Sequence, residues 1–270
     1  MSVLAAVILG IVQGLTEFLP VSSSAHLILA RAFFGWEVPD AFGLAFDVAL
    51  HVGTLIAIVV FFRADILNMI RAVPRLASPG TSVPARTAQR IVVGTIPVVI
   101  VGLLFNDFIE HALRTPVVAA WALAVGAALM FIAERAGSRQ RGEEHLGWLD
   151  AILIGCAQAS ALIPGMSRSG STIAVGMLLG LRREAAARFT FLLAIPAMLA
   201  AAAKEALELR GMTLPPDAAQ IMIIGVIVSA IVGYLTIKFF LRYLAGNRLD
   251  VFAYYRWALA AATFIWLART

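Results

Sequence analysis

The 270-residue chain is 61% hydrophobic and 14% charged, with a mean hydropathy of +0.91, which excludes an ordinary soluble domain and places it in lipid. Its 21 Lys and Arg against 16 Asp and Glu give a net charge of +5, yet the basic residues sit in connections between apolar runs, with no basic patch interleaved with aromatics, which excludes a nucleic-acid partner. A single cysteine, Cys156, excludes an intramolecular disulfide.

The first apolar stretch has no basic residue before it and runs into Gln13 and Glu17 without a small-residue cleavage site, so it is expected to stay attached and not to be removed as a signal peptide. Residues 3–33 are apolar but broken by Gly, by Pro20 and by a serine cluster. Bare lipid cannot satisfy the backbone groups that such breaks free, so the segment is predicted to be a helix–loop–helix hairpin that enters the membrane and turns back. Three spans are predicted next, at 42–62, 90–106 and 116–134. A second broken segment, 149–180, is read as another hairpin, followed by spans at 189–204, 219–237 and 251–268. The expected fold class is an all-α integral membrane protein with six transmembrane helices and two re-entrant helical hairpins.

The hairpins match each other. Sliding the chain by 145 residues sets Gly10 on Gly155, Gln13 on Gln158, Ser22 on Ser167, Ser24 on Ser169 and Gly35 on Gly180. Weaker echoes follow: Phe46 falls on Phe191, Gly94 and Gly102 keep their spacing in Gly225 and Gly233, and Trp121-Ala-Leu-Ala recurs from Trp257. Residues 1–135 and 149–270 are therefore read as two repeats of one hairpin plus three spans, forming one membrane domain. Three crossings per repeat is odd, so the second repeat must be upside down, an inverted-topology repeat. On this threading fourteen Lys and Arg fall on one side and four on the other (Arg114, Lys204, Arg210 and Arg269), which puts the fourteen in the cytoplasm and both termini outside.

In GIVQGLTEFLPVSSSAH, Gln13 and Glu17 are four apart and share a helix face, Pro20 ends the helix, and Ser22, Ser23 and Ser24 form the turn. Ser24 is expected to cap the returning helix, with His26 in its first turn beside Glu17. A carboxylate inside a membrane hairpin costs a few kcal/mol or more unless paired, which points to function. In ALIPGMSRSGSTIAVG, Pro164 and Gly165 break the helix, and Ser167, Arg168, Ser169 and Gly170 lead into Ser171 and Thr172. A turn of small residues feeding a helix N-terminus suits an oxyanion, and the Arg168 guanidinium can grip phosphate oxygens in bidentate fashion. Asp47 and His51, four apart in the first span, are expected to face the same cavity, whereas Arg256 reads as an interfacial anchor or packing partner with Tyr254, Tyr255 and Trp257.

These motifs resemble those of the undecaprenyl-diphosphate phosphatases, bacitracin-resistance-type membrane phosphatases that recycle the lipid carrier of bacterial cell-wall synthesis. The resemblance runs over essentially the whole chain and is specific at QGLTEFLPVSSSAH and PGMSRSG. It implies a polyprenyl diphosphate substrate in the bacterial plasma membrane, an essential acid at Glu17, a catalytic pair at Ser23 and His26, and a phosphate-binding turn at Ser167, Arg168 and Ser169. Many members carry a second Glu where this chain has Gln13, so a two-carboxylate metal site is not expected.

The expected chemistry is hydrolysis of the diphosphate to the monophosphate. Arg168, the amides of the second hairpin and a divalent cation on Glu17, Mg²⁺ or Ca²⁺, neutralise the anion, and Ser23 or a water attacks with His26 as base. Gln13, Ser22, Ser24, Asp47, Ser167, Ser169, Gly170 and Thr172 are the expected substrate-binding groups. The site is predicted to open to the outer, periplasmic side, with the lipid tail among membrane lipids; a homodimer stays open. The rival class is a secondary transporter or flippase for a phosphate-bearing lipid or anion, because broken helices in inverted repeats are also transporter architecture.

Overall fold

A computed structural model describes residues 1–35, 40–75, 82–208 and 216–269. The described chain is helical throughout: α1 (Val3–Thr16), α2 (Ser23–Phe34), α3 (Asp40–Phe61), α4 (Arg63–Ala72), α5 (Val83–Phe108), α6 (Pro116–Ala136), α7 (Trp148–Ser160), α8 (Arg168–Leu178), α9 (Arg183–Glu208), α10 (Ala218–Leu244) and α11 (Asp250–Leu267). Among the described residues four helices are long and apolar enough to cross a membrane, within α5, α6, α9 and α10, and a bent α3–α4 pair makes up to five. The chain is thus a multi-pass, all-helical membrane protein.

Each expected apolar run is a helix, with α5, α9 and α10 longer at both ends and α3 and α11 ending one residue early. The connection 63–90, read as a loop, is helical at both margins, since α4 follows α3 at a 73° bend and α5 starts at Val83. Its sequence explains α4: Arg63, Asp65 and Arg71 are interspersed with Leu67 and Ile70, the composition of a helix lying along an interface. α11 falls outside the clearly apolar group, since Asp250, Arg256, Tyr254 and Tyr255 dilute its 18 residues. The two segments read as hairpins are helix–turn–helix units, α1–α2 and α7–α8. Gly35 ends α2 in the left-handed region at φ 60°, its N–H donating to the Arg31 carbonyl.

Small residues set how closely the helices approach. A Cβ on Gly10 of α1 would stand 3.0 Å from the Val228 Cβ and 3.3 Å from the Gly225 carbonyl of α10. A Cβ on Gly155 of α7 would run into the Gly94 carbonyl of α5. The glycines aligned by the 145-residue slide therefore do the same work with exchanged partners: α1 packs on the second half and α7 on the first. Lipid gives little hydrophobic drive between helices, so this backbone proximity is a main source of their attraction. Phe18, next to Glu17, meets Phe191 of α9 edge to face at 5.5 Å, and Phe62 and Phe240 complete a buried aromatic group that holds the first turn in place.

Charge separates between the two ends of the bundle. At one end, the buried Glu134 carboxylate accepts from Arg183 (2.7 and 2.5 Å), Arg139 (3.0 Å) and the Leu249 N–H (2.8 Å), while Arg141 pairs with Asp150 and Arg188 with Asp65. At the other, Asp47 is gripped by Arg31 (2.5 Å) and Arg114 (3.0 Å).

Candidate active site

Both turns are built alike. Ser22 has φ 74° and ψ 98° and its hydroxyl accepts from the Ala25 N–H; Ser167 has φ 68° and ψ 111° and accepts from the Gly170 N–H. The cap of α2 is thus Ser22, not Ser24 as expected, and the helix starts at Ser23. Starting two residues earlier turns the Ser23 side chain toward Glu17. Ser169 joins the turns, its hydroxyl donating to the Leu19 carbonyl at 3.0 Å.

Glu17 and Arg168, brought together from the two turns, form an ion pair through Oε1, the carboxylate buried and the guanidinium partly exposed. The other carboxylate oxygen, Oε2, accepts from the Ser23 hydroxyl at 2.5 Å and from Gln13 Nε2 at 3.0 Å, and His51 Nε2 stands 3.5 Å away. A cavity of about 350 Å³ opens beside this group, lined by Glu17, Ser22, Ser23, Ser24, Ser167 and Arg168 from the predicted set. His51, Gln158, Arg114 and Lys204 also line it. An acid, a hydroxyl and a guanidinium around one void can hold an anion and move a proton.

Several expected residues lie elsewhere. His26 is not beside Glu17: its Nδ1 lies 2.7 Å from the Ser22 carbonyl, its Nε2 lies 2.7 Å from the Tyr255 hydroxyl, and the two rings stack at 5.7 Å. A carbonyl only accepts, so Nδ1 carries the proton and the Nε2 lone pair takes the tyrosine O–H. Asp47 faces Arg31 and Arg114 and acts on the cavity through Arg114 at its wall. Thr172 donates to the Arg168 carbonyl (2.6 Å) and accepts from Thr190 (2.9 Å), within the protein interior. Gly170 supplies the capped N–H and leaves room for Arg256, whose Nη1 would lie 2.7 Å from a Cβ there.

Arg256 is no interfacial anchor. It is 0% exposed, and its guanidinium donates to the carbonyls of Pro20 (3.4 Å), Gly165 (2.9 Å), Met166 (3.0 Å), Ala122 (3.2 Å) and Leu123 (3.2 Å). Breaking two helices leaves carbonyls that lipid cannot satisfy, and one five-donor side chain answers them from both turns. Its place in the middle of an apolar run was the signal, since a charge there faces the bundle interior and pairs with backbone. Gln158 was missed because its chemistry is bland; it is 2% exposed, and neither amide atom has a partner in the described structure. The Oε1 of its counterpart Gln13 is likewise unpartnered.

No group of three His, Cys, Asp or Glu poised to hold a metal occurs among the described residues. The donors near Glu17 are hard oxygens, one carboxylate with the Ser23 hydroxyl and the orphaned Gln13 Oε1. They fit Mg²⁺ or Ca²⁺ in kind, but supply a single negative charge.

The family model described as bacitracin resistance protein BacA matches residues 6–262, which takes in both turns and all eleven helices in whole or part. The chain belongs to the BacA family. A relative named undecaprenyl-diphosphatase in Rubrobacter xylanophilus is 47% identical over 264 residues, 97% of each chain. Undecaprenyl-diphosphatase 2 of Stutzerimonas stutzeri is 46% identical over 273 residues, 98% of each chain, and the undecaprenyl-diphosphatase of Nitrosococcus oceani is 44% identical over 257 residues, 95% of this chain and 96% of its own. The range matched by the BacA family takes in Glu17, Ser23, His26 and Arg168.

Proposed function

We propose that this BacA-family chain hydrolyses undecaprenyl diphosphate to the monophosphate and inorganic phosphate, recycling the lipid carrier of cell-wall synthesis. The observation that carries the reading is one carboxylate, Glu17, holding both Ser23 and Arg168 at a cavity wall. The relatives named undecaprenyl-diphosphatase support the substrate.

In this reading a diphosphate entering the cavity competes with Glu17 for Arg168. The guanidinium turns from one carboxylate oxygen to two phosphate oxygens, and the amides at the start of α8 close on the same anion. Glu17, relieved of its counter-charge, becomes the base for the hydroxyl already bonded to it at 2.5 Å. Ser23 Oγ attacks the terminal phosphorus, its proton passes to Glu17 Oε2, and the bridging P–O bond breaks as the monophosphate leaves. Water then cleaves the Oγ–P bond and frees phosphate. His26, occupied by Ser22 and Tyr255, fixes the turn in this scheme, and the geometry favours Glu17 over it as proton acceptor. A divalent cation would add charge neutralisation at the transferred group, with Glu17, Gln13 Oε1 and Ser23 as the residues to hold it.

We read the topology as six spans with both hairpins re-entrant and the repeats inverted. The matching turns at Ser22 and Ser167 and the exchanged glycine contacts support the repeat. The arginine-rich end then faces the cytoplasm, and the cavity, flanked by Arg114 and Lys204, opens outward. Purified protein in detergent is expected to release phosphate from a polyprenyl diphosphate. Lipid transfer between vesicle leaflets with no phosphate released would make it a carrier instead.

A further inference from the structure

Beside the cavity at Glu17 lies a second one of about 300 Å³, between α3, α9 and α10. Every residue lining it is apolar, including Ala45, Ala49 and Val48 of α3, Ala202 of α9 and Val226 of α10. Val48 and Ala202 belong to the apolar wall of the cavity at Glu17 too, so the two voids share a wall. Ala45 and Ala49 at the inner wall are buried, whereas Ile223 and Ile227 at the rim are more than half exposed, 58% and 52%. The groove thus runs from the chemistry to the lipid-facing surface.

We propose that this groove seats the first isoprenyl units of the substrate's tail and is its lateral route into the site. The proposal rests on the polyprenyl diphosphate reading above. In such a lipid the charged head and the branched hydrocarbon are adjacent along one chain, so a site for the head must have an apolar site against it. The two voids have that order: the first sets the cations and hydroxyls about Arg168 and Ser23 against an apolar wall that includes Met198 and Ala202, and the second is hydrocarbon alone. Alanines at 45, 49 and 202 leave the width that the methyl branches need. Lipid and detergent are as apolar as the groove, so a seated tail gains from close packing against the groove wall and not from leaving water, and each further branch that fits adds contact for the longer chain.

The test compares tails of two lengths at fixed detergent composition. Ala49→Phe fills the groove, and Ile227→Trp narrows its rim at an exposed position that folding tolerates. Both variants are expected to lose about tenfold in kcat/KM for farnesyl diphosphate, through KM, and less than about threefold for isopentenyl diphosphate, whose tail barely reaches the groove. Val92→Phe, on the lipid face of α5 away from the groove, is expected to change neither. Equal loss on both substrates, or no loss on either, would overturn the groove while leaving the hydrolase reading intact. Wild-type protein inert to both substrates would overturn that reading and the groove with it.

Discussion

Ser22 and Ser167, 145 residues apart, hold the same uncommon backbone, φ 74° and 68°, and each caps the helix that starts one residue later. Such a conformation costs an L-residue about 1–2 kcal/mol, and its recurrence has a common purpose, since it aims the next side chain, Ser23 or Arg168, into the cavity. Glycine at either position is expected to shift stability by less than about 1 kcal/mol, since relieved strain offsets the lost cap. Valine is expected to cost at least about 2 kcal/mol and most of the activity. Thermal unfolding in detergent separates the two, and equal melting of the Gly and Val variants would refute the strain.

Arg168→Ala is expected to lower kcat/KM by about 10²–10³, the scale for removing one preorganised anion donor. It also strands the Glu17 carboxylate in the interior, so the melting temperature should fall. Adding Glu17→Gln to Arg168→Ala is expected to recover stability without activity. A double variant no more stable than the Arg168→Ala protein would show that the pair is not coupled in the fold.

Arg256→Met keeps the volume and removes the five donors. Carbonyls left without partners cost roughly 1–3 kcal/mol each, so a loss of at least about 3 kcal/mol is expected, with the two turns loosened together. Hydrogen exchange should rise at 17–23 and 164–169 in parallel. Loosening of one turn alone would contradict a shared clamp.

Gln158→Leu is expected to leave the ligand-free protein as stable as before or slightly more so, because it removes a buried amide that has no protein partner. Substrate affinity should still drop by about tenfold, as one hydrogen bond to a charged phosphate is worth about 1.5–3 kcal/mol. A variant with unchanged KM would remove Gln158 from the site.

With Cys156 replaced by Ala, a cysteine at Gln140 is expected to react with impermeant reagents only from the cytoplasmic face, and one at His111 only from outside. Both reacting from the same face would reject the orientation proposed above.

The sequence by itself determined where helices break and which charges the interior must accommodate. Pro20 with the serine run after it and the Pro164-Gly165 pair each join a proline to turn-forming residues, which the lone Pro97 and Pro196 inside α5 and α9 lack, and freed backbone in lipid must find partners, so two turns at mid-segment were legible. The cost of an unpaired Glu17 pointed to a functional carboxylate, and the structure pairs that carboxylate with Arg168 of the other turn. The 145-residue slide likewise carried enough local information to match two turns down to their φ values. Partners distant in the chain were decided by tertiary packing alone. Tyr255, 229 residues away, takes a nitrogen of His26, the residue that the family resemblance pairs with Ser23, Arg114 joins Arg31 on Asp47, and His51 turns toward Glu17. Arg256 shows the reason most clearly. Residue type says that a buried guanidinium needs acceptors, but the carbonyls it finds belong to three separate segments whose meeting is fixed by helix packing.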